Sequence, residues 1–182
     1  MLARHTRRIN TAHGHSTGFN LFELVLVVAI VAVMAAIATP RFGAAHARYR
    51  VDLAARRIAA DLAYAQTIAR QTSSIQLIEF MAANDRYVLL GVNDLESPGN
   101  DYTVVLSDEP YRADIVSVSF ENKNGYIANR RIRFNMWGRP ASGNPLEGHP
   151  FAPLVDGSIV IQGGTETRTI TIAPLTGKVR IQ

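Results

Sequence analysis

The chain has 182 residues, of which 47% are hydrophobic and 19% are charged. This length suits one ordinary domain with a short accessory segment, and it excludes a large multidomain enzyme. Cysteine is absent, so disulfides, thiolate metal sites and cysteine nucleophiles are excluded. The formal net charge is +4, but Arg4, Arg7 and Arg8 precede the first long apolar run, so the remainder is close to neutral.

The apolar run extends from Phe19 to Thr39 and contains one ionisable side chain, Glu23. A helix of this length spans the roughly 30 Å hydrocarbon core of a bilayer. The basic residues before the run favour the cytoplasmic side for residues 1–18, which sends the C-terminal part across the membrane. The run therefore predicts a membrane-spanning helix over residues 19–39.

Three interpretations of this run compete. The first is a cleaved secretory signal, with Ala36-Ile37-Ala38 as the small-residue cleavage site. The second is a plain membrane anchor, in which the Glu23 carboxylate extends to the membrane interface. The third gives Glu23 a function, and we favour it because a lone carboxylate is rare inside such a helix.

The third interpretation comes from a resemblance. The segment Gly18–Leu24, GFNLFEL, follows a basic leader and resembles the type III signal of type IV pilins and type II secretion pseudopilins. The resemblance implies that a prepilin peptidase of the inner membrane cuts between Gly18 and Phe19 and N-methylates Phe19. Glu23 then becomes the fifth residue of the mature chain, and Pro40 stands where many family members have a helix-kinking proline.

Cleavage would create an ammonium group at Phe19, one helical turn before the Glu23 carboxylate. An unpaired carboxylate within a membrane is costly, so pairing between Glu23 and the Phe19 amine of a neighbouring subunit would be favoured. We therefore expect Glu23 to set the register of subunits in a helical filament.

The sequence after Pro40 predicts an amphipathic helix over residues 40–72. One apolar stripe recurs at three and four residues, formed by Val51, Ala54, Ala55, Ile58, Leu62, Ala65 and Ala69. The pairs Asp52–Arg56 and Arg57–Asp61 are opposite charges four residues apart, and the pattern places them on the other face.

Residues 73–182 show short alternating patterns typical of strands. Predicted strands cover 75–80, 86–92, 114–121, 131–136, 158–161, 167–173 and 178–181, and the stretches 93–100 and 138–153 are predicted to be exposed loops. The expected fold class is α+β, with a long N-terminal helix packed on an antiparallel β-sheet domain that lies in the periplasm. The resemblance to prepilins implies that residues 1–18 form the leader peptide.

Within the pilin superfamily, the sheet region resembles the GspH/FimT minor pseudopilins. The resemblance is carried by Arg131–Pro140, and by Thr169–Ile172 followed by Leu175–Ile181. DNA-uptake members of that group have a basic, glycine-containing C-terminal motif that contacts DNA, and Gly177–Arg180 is similar to it.

The resemblance makes Lys178 and Arg180, with Arg168 on the neighbouring strand, candidate DNA contacts. Few cations give only weak, salt-sensitive phosphate binding, so we favour protection of an edge strand as their role. Trp137, beside a loop, is interpreted as a packing residue and not as a binding platform.

Catalysis is not expected, and no cofactor or metal is predicted. The residues after the leader include only His46 and His149, without metal-ligand spacing, and no nucleophile elbow or phosphate-binding glycine loop occurs. The carboxylates of Asp94, Glu96 and Asp101 match no compact calcium site, so a solvated acidic loop is preferred.

These observations predict a minor pilin or minor pseudopilin precursor, a structural subunit whose partners are the prepilin peptidase, other pilins and inner-membrane lipid. The alternative is a secreted or anchored binding domain, including a FimT-like DNA-binding minor pilin. Cleavage near Ala38 would release the secreted form.

Overall fold

The computed structural model describes residues 20–94 and 97–182, except for the side chains of residues 37–42 and 44. Its helix, α1, covers Leu21–Gln71. The chain divides into two compact units, one that ends at Pro40 and one that comprises Arg41–Gln182. Position 40 is helical within α1, and the bend expected at Pro40 stays a prediction.

The second unit contains ten strands among the described residues. These are β1 (Gln76–Met81), β2 (Arg86–Asn93), β3 (Asp101–Val105), β4 (Asp114–Asn122), β5 (Ile127–Ala128), β6 (Arg131–Phe134), β7 (Pro140–Asn144), β8 (His149–Gly163), β9 (Glu166–Ile172) and β10 (Val179–Ile181). Short 3-10 turns occupy Ala82–Asn84 and Pro145–Glu147. Together with α1, the sheet confirms the predicted α+β class.

Every strand pairing is antiparallel, and the order is β10-β9-β8-β7-β6-β1-β2-β3, with β4 paired to β8 and β5. The long strand β8 joins two parts of the sheet. Its first residues pair with β7, whereas the stretch from Leu154 onwards pairs with β4 and β9. A strand longer than its neighbours can serve two sets of partners because each part of its backbone has separate donors and acceptors.

The predicted apolar stripe of the helix is confirmed in the second unit. Its seven residues are 0–1% exposed, and they join one core with inward-facing strand residues such as Ile78, Phe80, Phe120 and Ile161. Four members of the stripe are alanines, whose small side chains let the helix backbone approach the sheet closely.

The helix ends at Gln71 through local backbone chemistry. Ser73 adopts a left-handed conformation with φ of 50°, and the Ser74 N–H donates a hydrogen bond of 3.2 Å to the Ala69 carbonyl. A residue in this conformation turns the chain away from the helix axis while satisfying a terminal carbonyl. The chain then enters β1.

Two sequence-based assignments are wrong. The stretch 138–153 contains β7 and the beginning of β8, where a loop was predicted, and β3 is absent from the prediction. Strand β7 consists of Pro140-Ala141-Ser142-Gly143-Asn144, residue types with weak strand preference. It is a strand because β6 and β8 flank it and supply hydrogen-bond partners on both sides.

Candidate assembly site

The first unit exposes an apolar helix surface. Every described side chain over residues 20–36 is exposed, including Leu21 at 78% and Phe22 at 72%. A helix that is apolar around its circumference requires an apolar environment, supplied by other helices or by lipid. Over the residues with described side chains, no helical stretch has the length and hydropathy needed to cross a membrane.

Asn20 caps this helix. Its side-chain carbonyl accepts a hydrogen bond of 3.4 Å from the Phe22 N–H, and its backbone carbonyl accepts one of 3.1 Å from Leu24. Asparagine is among the strongest N-cap residues, so this polar residue near the start of the apolar run was a readable signal that the sequence interpretation missed.

Glu23 lies in the first turn of α1 and is exposed. A carboxylate there interacts favourably with the positive end of the helix dipole. Glu23 therefore has a local stabilising role within its own helix, in addition to the intersubunit role expected from the sequence. The predicted cleavage and methylation residues, Gly18 and Phe19, lie outside the described residues.

A buried polar cluster joins the second half of α1 to the sheet. Asp61 is 7% exposed, and its carboxylate accepts hydrogen bonds from the Tyr87 hydroxyl at 2.5 Å and from Arg57 Nε at 3.0 Å. Burial and the adjacent Asp61 carboxylate raise the pKa of Tyr87 well above its ordinary value. The prediction that Asp61 lies on the solvent-facing side of the helix is wrong, because its carboxylate faces the sheet.

Asp52 and Arg168 form a second link between helix and sheet. Arg168 Nε lies 2.6 Å from the Asp52 carboxylate and Arg168 Nη1 lies 3.9 Å from that of Glu166, whereas the predicted Asp52–Arg56 pair is not formed. Arg168 lies two residues before the buried Ile170 on β9, so both side chains project from the same face, the helix side of the sheet.

The other two candidate DNA contacts lie elsewhere. Arg180 is exposed and pairs with Thr171, whose side chain projects from the face of β9 opposite to that of the buried Ile170. Lys178 is exposed just before β10. The structure therefore separates Arg168 from Lys178 and Arg180, since Arg168 is held by carboxylates on the opposite face. DNA contact by Lys178 and Arg180 stays a prediction.

Trp137 is not a packing residue. It is 69% exposed, in a turn whose Asn135 carbonyl oxygen Oδ1 accepts a hydrogen bond of 3.1 Å from the Trp137 N–H. Gly138, with φ of 74°, completes the turn, and its N–H donates a hydrogen bond of 2.7 Å to the Asn135 backbone carbonyl. The sequence cue for packing failed because it considered the residue type without the turn.

The described residues of the acidic loop are not arranged as a metal site. Asp101 Oδ1 accepts a hydrogen bond of 2.8 Å from the Gly91 N–H, and Glu96 lies outside the described residues. Across residues 20–94 and 97–182, no group of three His, Asp or Glu side chains is arranged to hold a metal ion.

Comparisons with known proteins give a structural similarity. No family model matches the chain, and no curated protein sequence matches it. Two crystal forms of the type IV minor pilin FimU from Pseudomonas aeruginosa strain PAO1 are similar in structure. One is 14% identical, covers 74% of this chain and 90% of its own, and has a TM-score of 0.45. The other is 13% identical, covers 72% and 91%, and has a TM-score of 0.44. The function is therefore inferred from this chain's own residues.

Proposed function

We propose that the chain is the precursor of a minor pilin or minor pseudopilin, a structural subunit of a type IV pilus or of a type II secretion pseudopilus. It turns over no substrate. The observation that supports this proposal most strongly is that all described side chains in the first half of α1, over residues 20–36, are exposed. This surface contains Leu21, Phe22, Leu24 and Val25, whose side chains are large and apolar.

The second half of α1 supports a division of roles along one helix. There the apolar stripe is buried against the sheet, so the sheet domain folds around its own segment of helix. The first half remains for intermolecular packing, because burial of its apolar side chains is gained only in contact with other helices or lipid. A filament with helices at its centre and sheet domains outside satisfies both halves.

The path to assembly begins at the membrane. The segment Phe19–Thr39 inserts in the inner membrane with residues 1–18 in the cytoplasm and the sheet domain in the periplasm. Prepilin peptidase then cuts between Gly18 and Phe19 and methylates the new Phe19 amine. The Glu23 carboxylate pairs with the Phe19 ammonium of a neighbouring subunit, and this pairing fixes the axial register.

Mass spectrometry of the mature N-terminus tests the processing step. The full chain is expressed with a prepilin peptidase, extracted from the membrane with detergent and digested, and the N-terminal peptide is sequenced. We expect methylated Phe19. A mature chain that starts at Thr39 would instead establish the secreted binding domain and eliminate this proposal.

Substitution of Glu23 tests the assembly step. Glu23→Gln removes the charge at nearly constant size, whereas Glu23→Asp retains it. We expect both variants to be inserted and cleaved, but only Glu23→Asp to retain appreciable incorporation into sheared, purified filaments. Equal incorporation of Glu23→Gln and the unsubstituted chain would contradict the register mechanism while leaving the processing result intact.

A further inference from the structure

A groove of about 410 Å³ lies on the outer face of the sheet. Arg133 in β6 alternates with the buried Ile132 and Phe134, so its side chain projects away from α1 and the core. The groove is lined by cationic and apolar side chains, among them Lys123, Arg133, Arg139, Pro140, Phe151 and Leu175. We call this surface the cationic groove.

The cationic groove has three cations and no carboxylate in its lining. Within the part of the chain that the structure describes, Lys123, Arg133 and Arg139 form no ion pair. The next outward-facing residue on the same strand differs, because Arg131 lies 3.2 Å from the buried Glu79 carboxylate. The sheet thus neutralises one outward arginine internally and leaves Arg133 without an anion.

Arg133 is held in place before any ligand arrives. Its guanidinium carbon lies 4.4 Å from the centroid of the Phe151 ring, and its Nε is buried without a hydrogen-bond partner. Burial lowers the pKa of Arg133. The terminal nitrogens of this guanidinium are not among the buried atoms, and they have no anion within the described residues, so a carboxylate that accepts charge-assisted hydrogen bonds from them would be favourable.

The groove also has an apolar rim that is fixed to the helix. Leu175 is 78% exposed in the turn before β10. Gln66 of α1 donates hydrogen bonds of 2.6 Å to the carbonyls of Gly138 and Thr176, which ties this turn to the turn that contains Trp137. The exposed side chains of Leu175 and Trp137 therefore lie on two turns that are both hydrogen-bonded to Gln66.

We propose that the cationic groove binds an acidic segment of a partner protein, with a carboxylate on Arg133 and an aliphatic or aromatic side chain against Phe151 and Leu175. Charge complementarity selects this occupant, since three cations without ion pairs in the described residues share the lining with Phe151 and Leu175. The compact size of the groove favours a few residues of peptide over a nucleic acid, which requires an extended basic field along its backbone. The inference does not depend on how the N-terminus is processed.

The test uses the full chain in a non-ionic detergent, and it uses Trp137 fluorescence because the chain contains a single tryptophan. The probe is a blocked peptide that alternates glutamate with leucine and phenylalanine, and its matched control replaces each glutamate with glutamine. We expect saturable binding of the acidic peptide, and Arg133→Gln should weaken it by about tenfold, as loss of one charge-assisted hydrogen bond implies.

Two variants and one competitor make the result decisive. Arg56→Gln removes the same charge from an exposed helix position that forms no ion pair with another described residue, and it should leave the affinity unchanged. Lys123→Gln, at an exposed position, should weaken binding and salt should weaken it further. The proposal is overturned if the acidic peptide does not saturate, if the glutamine peptide binds equally, or if single-stranded DNA displaces the peptide at lower concentration.

Discussion

The hydroxyl of Tyr87 donates a 2.5 Å hydrogen bond to the buried carboxylate of Asp61, which joins strand β2 to the second half of the helix. Arg57 approaches the same carboxylate from the helix at 3.0 Å. The Tyr102 hydroxyl is a third donor, 3.4 Å from Asp61 Oδ2. Several donors to one carboxylate are the condition for burying it in the helix–sheet interface without a large penalty.

The first prediction concerns the alkaline stability of this cluster. Because the folded pKa of Tyr87 is raised, the unfolded tyrosine loses its proton above about pH 10 while the folded one retains it. The folded state then binds more protons, so the free energy of unfolding falls as the pH rises, by about 1.4 kcal/mol per pH unit for one such group. Tyr87→Phe should remove this part of the decrease in the free energy of unfolding at alkaline pH.

The measurement is thermal unfolding of the full chain in detergent, followed by near-ultraviolet circular dichroism at pH 8, 10 and 11. At pH 8, Tyr87→Phe should be less stable by about 1–3 kcal/mol because Asp61 loses a donor. Tyr49→Phe is the control, since Tyr49 is 67% exposed. If Tyr87→Phe keeps the same alkaline slope as Tyr49→Phe, the predicted protonation linkage is wrong.

The second prediction concerns the contact between Gly163 at the end of β8 and Val51 of the helix. A Cβ at Gly163 would lie 2.4 Å from Val51 Cγ2 and 3.4 Å from the Arg112 carbonyl oxygen. Gly163→Ala should therefore destabilise the sheet domain by about 1–3 kcal/mol through overpacking. Gly43→Ala is the matched control, because nothing lies within 4 Å of its added methyl group.

A double variant separates this clash from other effects of alanine. Val51→Ala removes the methyl group that the new Cβ meets, so Gly163→Ala/Val51→Ala should be destabilised by less than the sum of the single variants. The same thermal measurement provides all four values of the cycle. Strict additivity would show that the two positions do not interact and would contradict the predicted contact.

The helix was predictable where its chemistry is periodic. The apolar stripe from Val51 to Ala69 repeats at helical spacing, and burial in the structure follows it residue by residue. The hairpin β1–β2 and the final strands were also readable, since short runs rich in apolar and β-branched residues lie there between turn residues. In these segments the local preference and the tertiary environment agree.

The missed features depend on tertiary contacts that no local pattern contains. Strand β7 has weak intrinsic preference and exists because two neighbours pair with it. Gly143 assists this pairing, because a Cβ there would lie 2.8 Å from the Phe151 backbone. The charge partner of Asp52 is 116 residues away at Arg168, so a rule based on spacing of four selected the wrong arginine.

The third prediction concerns nucleic acid. If the C-terminal cations bind DNA, Lys178→Gln/Arg180→Gln should abolish retention of a labelled duplex at low salt, whereas Arg168→Gln should leave it unchanged. The logarithm of the affinity should fall with the logarithm of salt concentration with a slope of about −2, as two phosphate contacts imply. Loss of binding in Arg168→Gln alone would show that Arg168 leaves its carboxylates to contact DNA.

The variant Arg168→Gln also measures how much the ion pair between Arg168 and Asp52 contributes to the free energy of unfolding. The side chains of Arg168 and Asp52 are 25% and 43% exposed, so solvent screens their attraction. Arg168→Gln should therefore lower the free energy of unfolding by no more than about 1 kcal/mol. This small effect keeps the DNA comparison interpretable, because the variant remains folded.

The last prediction separates the two roles of Glu23, a residue of the first helical turn that is also the proposed register residue. Asn20→Ala removes the N-cap and should destabilise that turn by about 1 kcal/mol, which speeds amide hydrogen exchange over Leu21–Leu24, whereas Asn20→Asp should preserve the cap. Glu23→Gln should affect exchange less, since a first-turn charge contributes about 0.3–1 kcal/mol. Glu23→Gln should reduce incorporation into filaments more than Asn20→Ala does, because the proposed pairing requires a negative charge at position 23 and not a capped helix end. If Asn20→Ala impairs incorporation as strongly as Glu23→Gln, the role of Glu23 in assembly reduces to stabilising its own helix.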